Sequence, residues 1–113
     1  METKHDIVNT LASNLRHLRH NTKVEEPMTG KVKYMSQRHL AEFMGSATQQ
    51  VSKFELGTNQ MSATQVYKIA KIFEVSVDSL FGDLTKSDSK KTIKYDIYAY
   101  SIIYNNIISN TFV

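Results

Sequence analysis

Ser36-Gln37-Arg38-His39-Leu40-Ala41-Glu42-Phe43-Met44-Gly45, followed by Ser46-Ala47-Thr48-Gln49-Gln50-Val51-Ser52-Lys53-Phe54-Glu55-Leu56-Gly57, reads as two short helices with a glycine at each exit. Ser36 is a good N-cap for a helix through about Phe43, and Gly45 supplies a left-handed residue just beyond it. The second helix runs from about Ala47 or Thr48 to Leu56 and stops at Gly57. Packing two such helices tightly has requirements that the sequence can be checked against. Leu40 and Met44 have to face a core, and Ala41 has to be small because the second helix crosses close above it. Val51 and Phe54 have to point inward, which leaves Thr48, Gln49, Gln50, Ser52 and Lys53 around the outer faces.

The flanking segments supply more helices. Ser62-Ala63-Thr64-Gln65 is a capping box, with Met61 and Val66 spaced as its hydrophobic staple. The helix it opens buries Val66, Ile69, Ala70 and Phe73, and Ser76 caps a last short helix with Val75 and Leu80 as a second staple. Upstream, residues 6–20 form the first helix, because Ile7, Leu11, Leu15 and Leu18 fall four, four and three apart. Pro27 and Gly30 punctuate the polar stretch 21–35, which is read as a solvated loop. Its alternative is a small hairpin around Thr29-Gly30 whose Lys31 and Lys33 touch phosphates, an arrangement that Glu25 and Glu26 oppose.

Downstream, Asp83 to Lys94 is a charged, serine-containing linker, and the natural boundary lies near Gly82. The organisation expected is therefore a domain over 1–82, a linker over 83–94 and a C-terminal tail over 95–113. Residues 93–113 hold six isoleucines and four of the six tyrosines. Ile93, Ile97, Tyr100, Tyr104 and Ile107 form an a/d-like stripe, which favours a helix. Alternation at Ile93, Tyr95, Ile97 and Ala99 favours a strand instead, until Ile102-Ile103 breaks it. A one-sided apolar tail wants a surface, either its own domain or a dimer partner.

Composition removes whole classes of function. The 113 residues carry no cysteine, so disulfides, thiolate zinc sites and cysteine nucleophiles are excluded. The N-terminus lacks the basic start and apolar core of a signal peptide, and no run reaches the roughly 18 apolar residues of a membrane span, so a cytoplasmic location is expected. His17 and His20 have metal-compatible spacing, but no carboxylate or cysteine completes a set. No triad and no glycine-rich phosphate loop is present, so neither an enzyme nor a cofactor is expected. A net charge of +3 permits a polyanionic partner without demanding one.

Two short helices joined by a tight glycine turn hold the second one proud of the surface, where it can enter a DNA major groove about 12 Å wide. The ordered set over residues 10–82 resembles the Cro/lambda-repressor (XRE-type) family of helix-turn-helix proteins. Ser36 through Gly45 and Gln49 through Gly57 match its motif, and Met61-Ser62 through Phe81 match its fourth and fifth helices. The resemblance implies an all-α, five-helix lambda-repressor-like DNA-binding domain, with the tail as an added helix. It implies that Gln37 bonds phosphate, that Thr48, Gln49 and Lys53 face base edges, and that Gln50 and Ser52 reach bases or backbone. Thr58 and Asn59 are candidates for phosphate contact, and Arg19 and Glu55 match a structural ion pair between the first and third helices. The chemistry agrees: a glutamine amide pairs with adenine N6/N7, and lysine donates to guanine O6/N7.

Three positions depart from the family pattern. Ser46 stands where an apolar residue is usual, and the 21–35 connection is longer than the tight loop expected. Ala47 replaces a capping Ser or Thr, which leaves Ser46 as the candidate cap with Gln49 as its reciprocal partner. The expected function is a double-stranded-DNA-binding transcriptional regulator, a repressor acting as a homodimer on a two-fold-related operator. The alternative is an antitoxin whose tail covers a toxin partner.

Overall fold

Chain order begins with a capped helix and places the sheet where the sequence suggested loop and linker. The computed structural model describes residues 3–84 and 91–94. Helix α1 spans Lys4–His20; at its start the Thr3 side chain accepts from the Asp6 amide while Asp6 accepts from the Thr3 amide. Leu11, Ala12 and Leu15 are buried, whereas Ile7 is 40% exposed, so the buried stripe begins one turn later than the expected one. Buried Asn14 donates to the carbonyls of Leu80 and Gly82, both at 2.7 Å, and ties α1 to the far end of the domain.

The helices α2 (Gln37–Met44) and α3 (Thr48–Leu56) pack as their small and large residues dictate. Leu40, Met44 and Val51 are fully buried, and Ala41 and Phe54 are 2% exposed. Ser36 caps α2 through a box closed by His39, and Gly45 exits it in the left-handed region at φ 68°. α4 (Ala63–Phe73) starts on the Ser62/Gln65 box and buries Val66, Ile69, Ala70, Ile72 and Phe73. Lys68 on α4 donates to the Met44 carbonyl at 3.0 Å, placing a cation at the end of α2, and partial burial lowers its ammonium pKa. α5 (Val77–Leu80) is capped by Ser76 and closes the core with Leu80.

The all-α expectation is overturned by a three-stranded sheet. Strands β1 (Thr22–Glu25) and β2 (Val32–Tyr34) form an antiparallel hairpin in the stretch read as a solvated loop. Strand β3 (Lys91–Lys94), inside the segment read as a linker, pairs with β1 in parallel, Thr22 with Lys91 through Glu25 with Lys94. The order is β2-β1-β3, so the whole of α2 to α5 serves as the crossover that a parallel pair requires. β1 buries Val24 completely, and Ile93 packs beside it against the core. Lys91 anchors β3 by bonding Glu74, the left-handed residue that ends α4, and this contact lowers the Glu74 carboxyl pKa.

β2 escapes a pattern search because three residues are too few for its apolar-polar alternation to mark a strand. β3 escapes because its pairing partner lies far away in sequence. The expected tail helix falls in residues 95–113, outside the described residues.

Gly57 has φ 75°, and a Cβ there would lie 2.8 Å from Oδ1 at the end of the exposed Asn9 side chain, which can swing aside. Gly30 also has positive φ, at 68°, but nothing lies within 4 Å of its Cβ position. Gly57→Ala and Gly30→Ala should each destabilise by about 1 kcal/mol or more in urea melts, because both place a Cβ on a left-handed backbone.

Candidate nucleic-acid interface

One face of α3 is closed and the other is open. Val51, Phe54 and Glu55 turn inward. Glu55 is a carboxylate only 2% exposed, and such a group needs partners. Arg19, from the last turn of α1, supplies them as a fork: Nε donates to Oε2 at 2.6 Å and Nη2 to Oε1 at 2.9 Å. The Gln37 amide, at the first position of α2, donates to the same Oε1 at 3.2 Å. Arg19 Nη1 also donates to the Met35 carbonyl at 3.1 Å, between β2 and α2. Four segments therefore meet at one guanidinium–carboxylate pair, in the bidentate geometry that arginine favours.

On the opposite face, Thr48, Gln49 and Lys53 are exposed and Gln50 and Ser52 are half-buried. None of these five side chains hydrogen-bonds to another described residue. Ala47 is the N-cap of α3 and gives no side-chain hydrogen bond, which corrects the expectation of a Ser46–Gln49 cap. Gln49 is left available. The first-turn amides of α3 are likewise without a side-chain cap, and neither α2 nor α3 has an acidic residue in its first turn. Together these features suit an anion at the start of α3.

The other candidates differ in how they are held. Gln37 is half-buried and engaged by Glu55, so its amide has one hydrogen committed and its second hydrogen and its oxygen not used in that bond. Thr58 turns back onto α3, its hydroxyl donating to the Lys53 carbonyl at 3.2 Å. Asn59 is exposed and borders a groove shared with Ile7, Met61 and Phe81.

Two exposed residues beside this face were missed by the sequence reading. Leu56 is 66% exposed and follows Gln49 and Lys53 at spacings of four and three, so it lies on their face. Its side chain can meet a thymine methyl. Arg38 stands next to Gln37 with a side chain 76% exposed and a loose i,i+4 contact to Glu42 at 3.6 Å. The helical period alone could have found Leu56; an arginine in the first turn of α2 was the signal for Arg38.

Among the described residues no group of three His, Cys, Asp or Glu could hold a metal ion. No described helix is long and apolar enough to cross a membrane.

Comparison with known proteins converges on the same elements. Residues 33–80 match the family model described as helix-turn-helix. A protein of Rhodospirillum rubrum, named an uncharacterized transcriptional regulator in the ATPase CF(0) region, is 39% identical over 56 residues, covering 50% of this chain and 52% of its own length. Uncharacterized HTH-type transcriptional regulators of Sinorhizobium medicae and Rhizobium meliloti are each 41% identical over 49 residues, covering 43% of this chain and 35% of their own. The chain spans about half, or less, of the length of these curated relatives.

Truncating either member of the buried pair leaves the other uncompensated. Arg19→Ala and Glu55→Ala should each cost about 3–5 kcal/mol by denaturant unfolding, and the double variant should cost less than their sum.

Proposed function

We propose that this chain, whose residues 33–80 match a helix-turn-helix family model, is an XRE-type transcriptional regulator that binds double-stranded DNA through the exposed face of α3. The carrying observation is that this face holds Thr48, Gln49, Gln50, Ser52 and Lys53 with no intramolecular partner among the described residues, on a helix whose other face is locked. Amide, hydroxyl and ammonium groups are the chemistry that reads base edges in the major groove. Gln49, freed of any capping duty, is the principal reader, pairing with adenine, and Lys53 donates to guanine or to phosphate. Gln37, Thr58 and Asn59 set register through phosphates and sugars rather than sequence. Names carried by the relatives, transcriptional regulators in each case, support the same reading.

The chain acts in the cytoplasm as a homodimeric repressor on a two-fold-related operator, with the isoleucine- and tyrosine-rich tail as a candidate contact between copies or with a protein partner. Two-fold pairing puts the reading helices about 34 Å apart, one turn of DNA, and occlusion of a promoter then follows from occupancy.

Selection of bound duplexes from a random pool tests this reading. It should return a two-fold-symmetric site with half-sites about one turn apart. Gln49→Ala should then relax preference at one or two base pairs by about 1–3 kcal/mol while leaving the others intact. An equal loss on every sequence would remove Gln49 from base reading, and the absence of any enriched sequence would remove sequence-specific binding.

A further inference from the structure

The β1–β2 hairpin has no role in the reading above, yet it runs directly into the start of α2, where that reading places Gln37 on a phosphate. Its base is held at both strands. The Met35 amide donates to the Thr22 carbonyl at 2.9 Å, and the Met35 carbonyl accepts from Arg19, the arginine that grips Glu55. Met35 is 2% exposed, and Ser36, the cap of α2, follows directly. The hairpin is therefore joined to the start of α2 through the same network that sets α3.

Beyond its base the hairpin leaves the core. Residues 27–34 are all exposed, with Met28 at the turn 94% exposed. The turn is closed by Glu26 and Lys31, whose backbone atoms bond at 2.8 Å, and by the Gly30 amide donating to the Glu26 carbonyl. Register then fixes the faces. Val24 sits opposite Lys33, and Glu25 opposite Val32. Facing residues in an antiparallel pair project to the same side, and side chains alternate along each strand. Lys31 and Lys33 therefore share one side of the hairpin, the side of Val24, on its exposed part. They stand about 7 Å apart at the usual strand rise. Lys33 is four positions from Gln37, so at most about 13 Å of chain separates it from the first residue of α2.

We infer that this hairpin is a second DNA-contacting element, a wing whose Lys31 and Lys33 bind the phosphate backbone flanking the site read by α3. The inference rests on the DNA-binding reading proposed above. Three features carry it: two cations on one side of an exposed strand, direct continuity with the start of α2, and a base fixed to both α1 and α2. The opposing charge is on the same side. Glu26 Oε1 lies 3.5 Å from Lys33 Nζ, with the two side chains 34% and 59% exposed. Exposed pairs of this kind contribute little and exchange readily, so Lys33 can transfer to a phosphate while Glu26 reduces the gain. Lys31 is the stronger contact. These are phosphate contacts, which position the protein without reading sequence.

The test is a salt titration with mixed-sequence double-stranded DNA fragments, comparing the intact chain with K31A/K33A, with E26Q and with K71Q, which removes a cation from α4. Each phosphate contact contributes about 0.9 to the slope of log affinity against log salt. K31A/K33A should lower the slope by about 0.9 to 1.8, so that the advantage of the intact chain shrinks roughly three- to twelvefold between 50 and 200 mM salt. E26Q should tighten binding, and K71Q should leave the slope unchanged. Base preference in pool selection should be the same for K31A/K33A and the intact chain. An unchanged slope in K31A/K33A, with the intact chain binding normally and both unfolding at the same denaturant concentration, overturns the wing and leaves the α3 reading standing. Loss of salt-sensitive binding by the intact chain itself overturns the DNA-binding reading, and the wing with it.

Discussion

A carboxylate buried in the middle of a small domain sets the terms for what surrounds it. Glu55 is 2% exposed, and an ionised carboxylate in that position is tolerable only with close, well-directed donors. Arg19 provides two and Gln37 a third, while a further arm of Arg19 reaches the Met35 carbonyl. The last turn of α1, the exit of the hairpin, the start of α2 and the last turn of α3 are thereby drawn to one point. An apolar contact could have held them together. A forked guanidinium facing a carboxylate also fixes direction, because its hydrogen bonds form at one mutual orientation. The angle at which α3 stands out from the domain depends on that.

Core and network divide the work. Leu40, Ala41, Met44, Val51 and Phe54 supply the close packing of α2 on α3, where Ala41 allows the approach and Gly45 allows the turn. Asn14 and Lys91 hold the last elements onto α1 and α4 by bonds to backbone carbonyls. With one face of α3 occupied in this way, its polar outward side chains take no part in holding the fold. A protein that needed those groups for stability could not also offer them to a partner.

Much of this was legible in the sequence because it is local. Caps at Ser36, Ser62 and Ser76, the glycine exits at Gly45 and Gly57, and the apolar spacing of α2 to α4 act within a few residues and leave a pattern. What was misread depends on distant or weakly patterned partners. Thr22–Glu25 is the central strand, between Val32–Tyr34 and Lys91–Lys94, and nothing in the short segments 22–25 and 91–94 announces their parallel pairing. Val32–Tyr34 alternates apolar and polar residues, but over only three residues, too short a run to mark a strand. Ile7 fits the period of α1 but lies where the helix has run past the core. Gln49 was assigned partly to a cap that the geometry does not use, and Leu56 was passed over because apolar residues are expected inside. The candidate interface was thus readable in its residues, and less so in how each is held.

The central claim is that the outward face of α3, with the start of α2 beside it, is the surface that meets DNA. Backbone amide chemical-shift mapping during titration with mixed-sequence duplex DNA tests it most directly, since it needs no knowledge of the operator. The account predicts the largest changes at Gln37, Arg38 and residues 48–53, with the outer side of α4 around Tyr67 and Lys71 little changed. Changes concentrated on α4, with residues 48–53 unmoved in a sample that binds DNA, would contradict it.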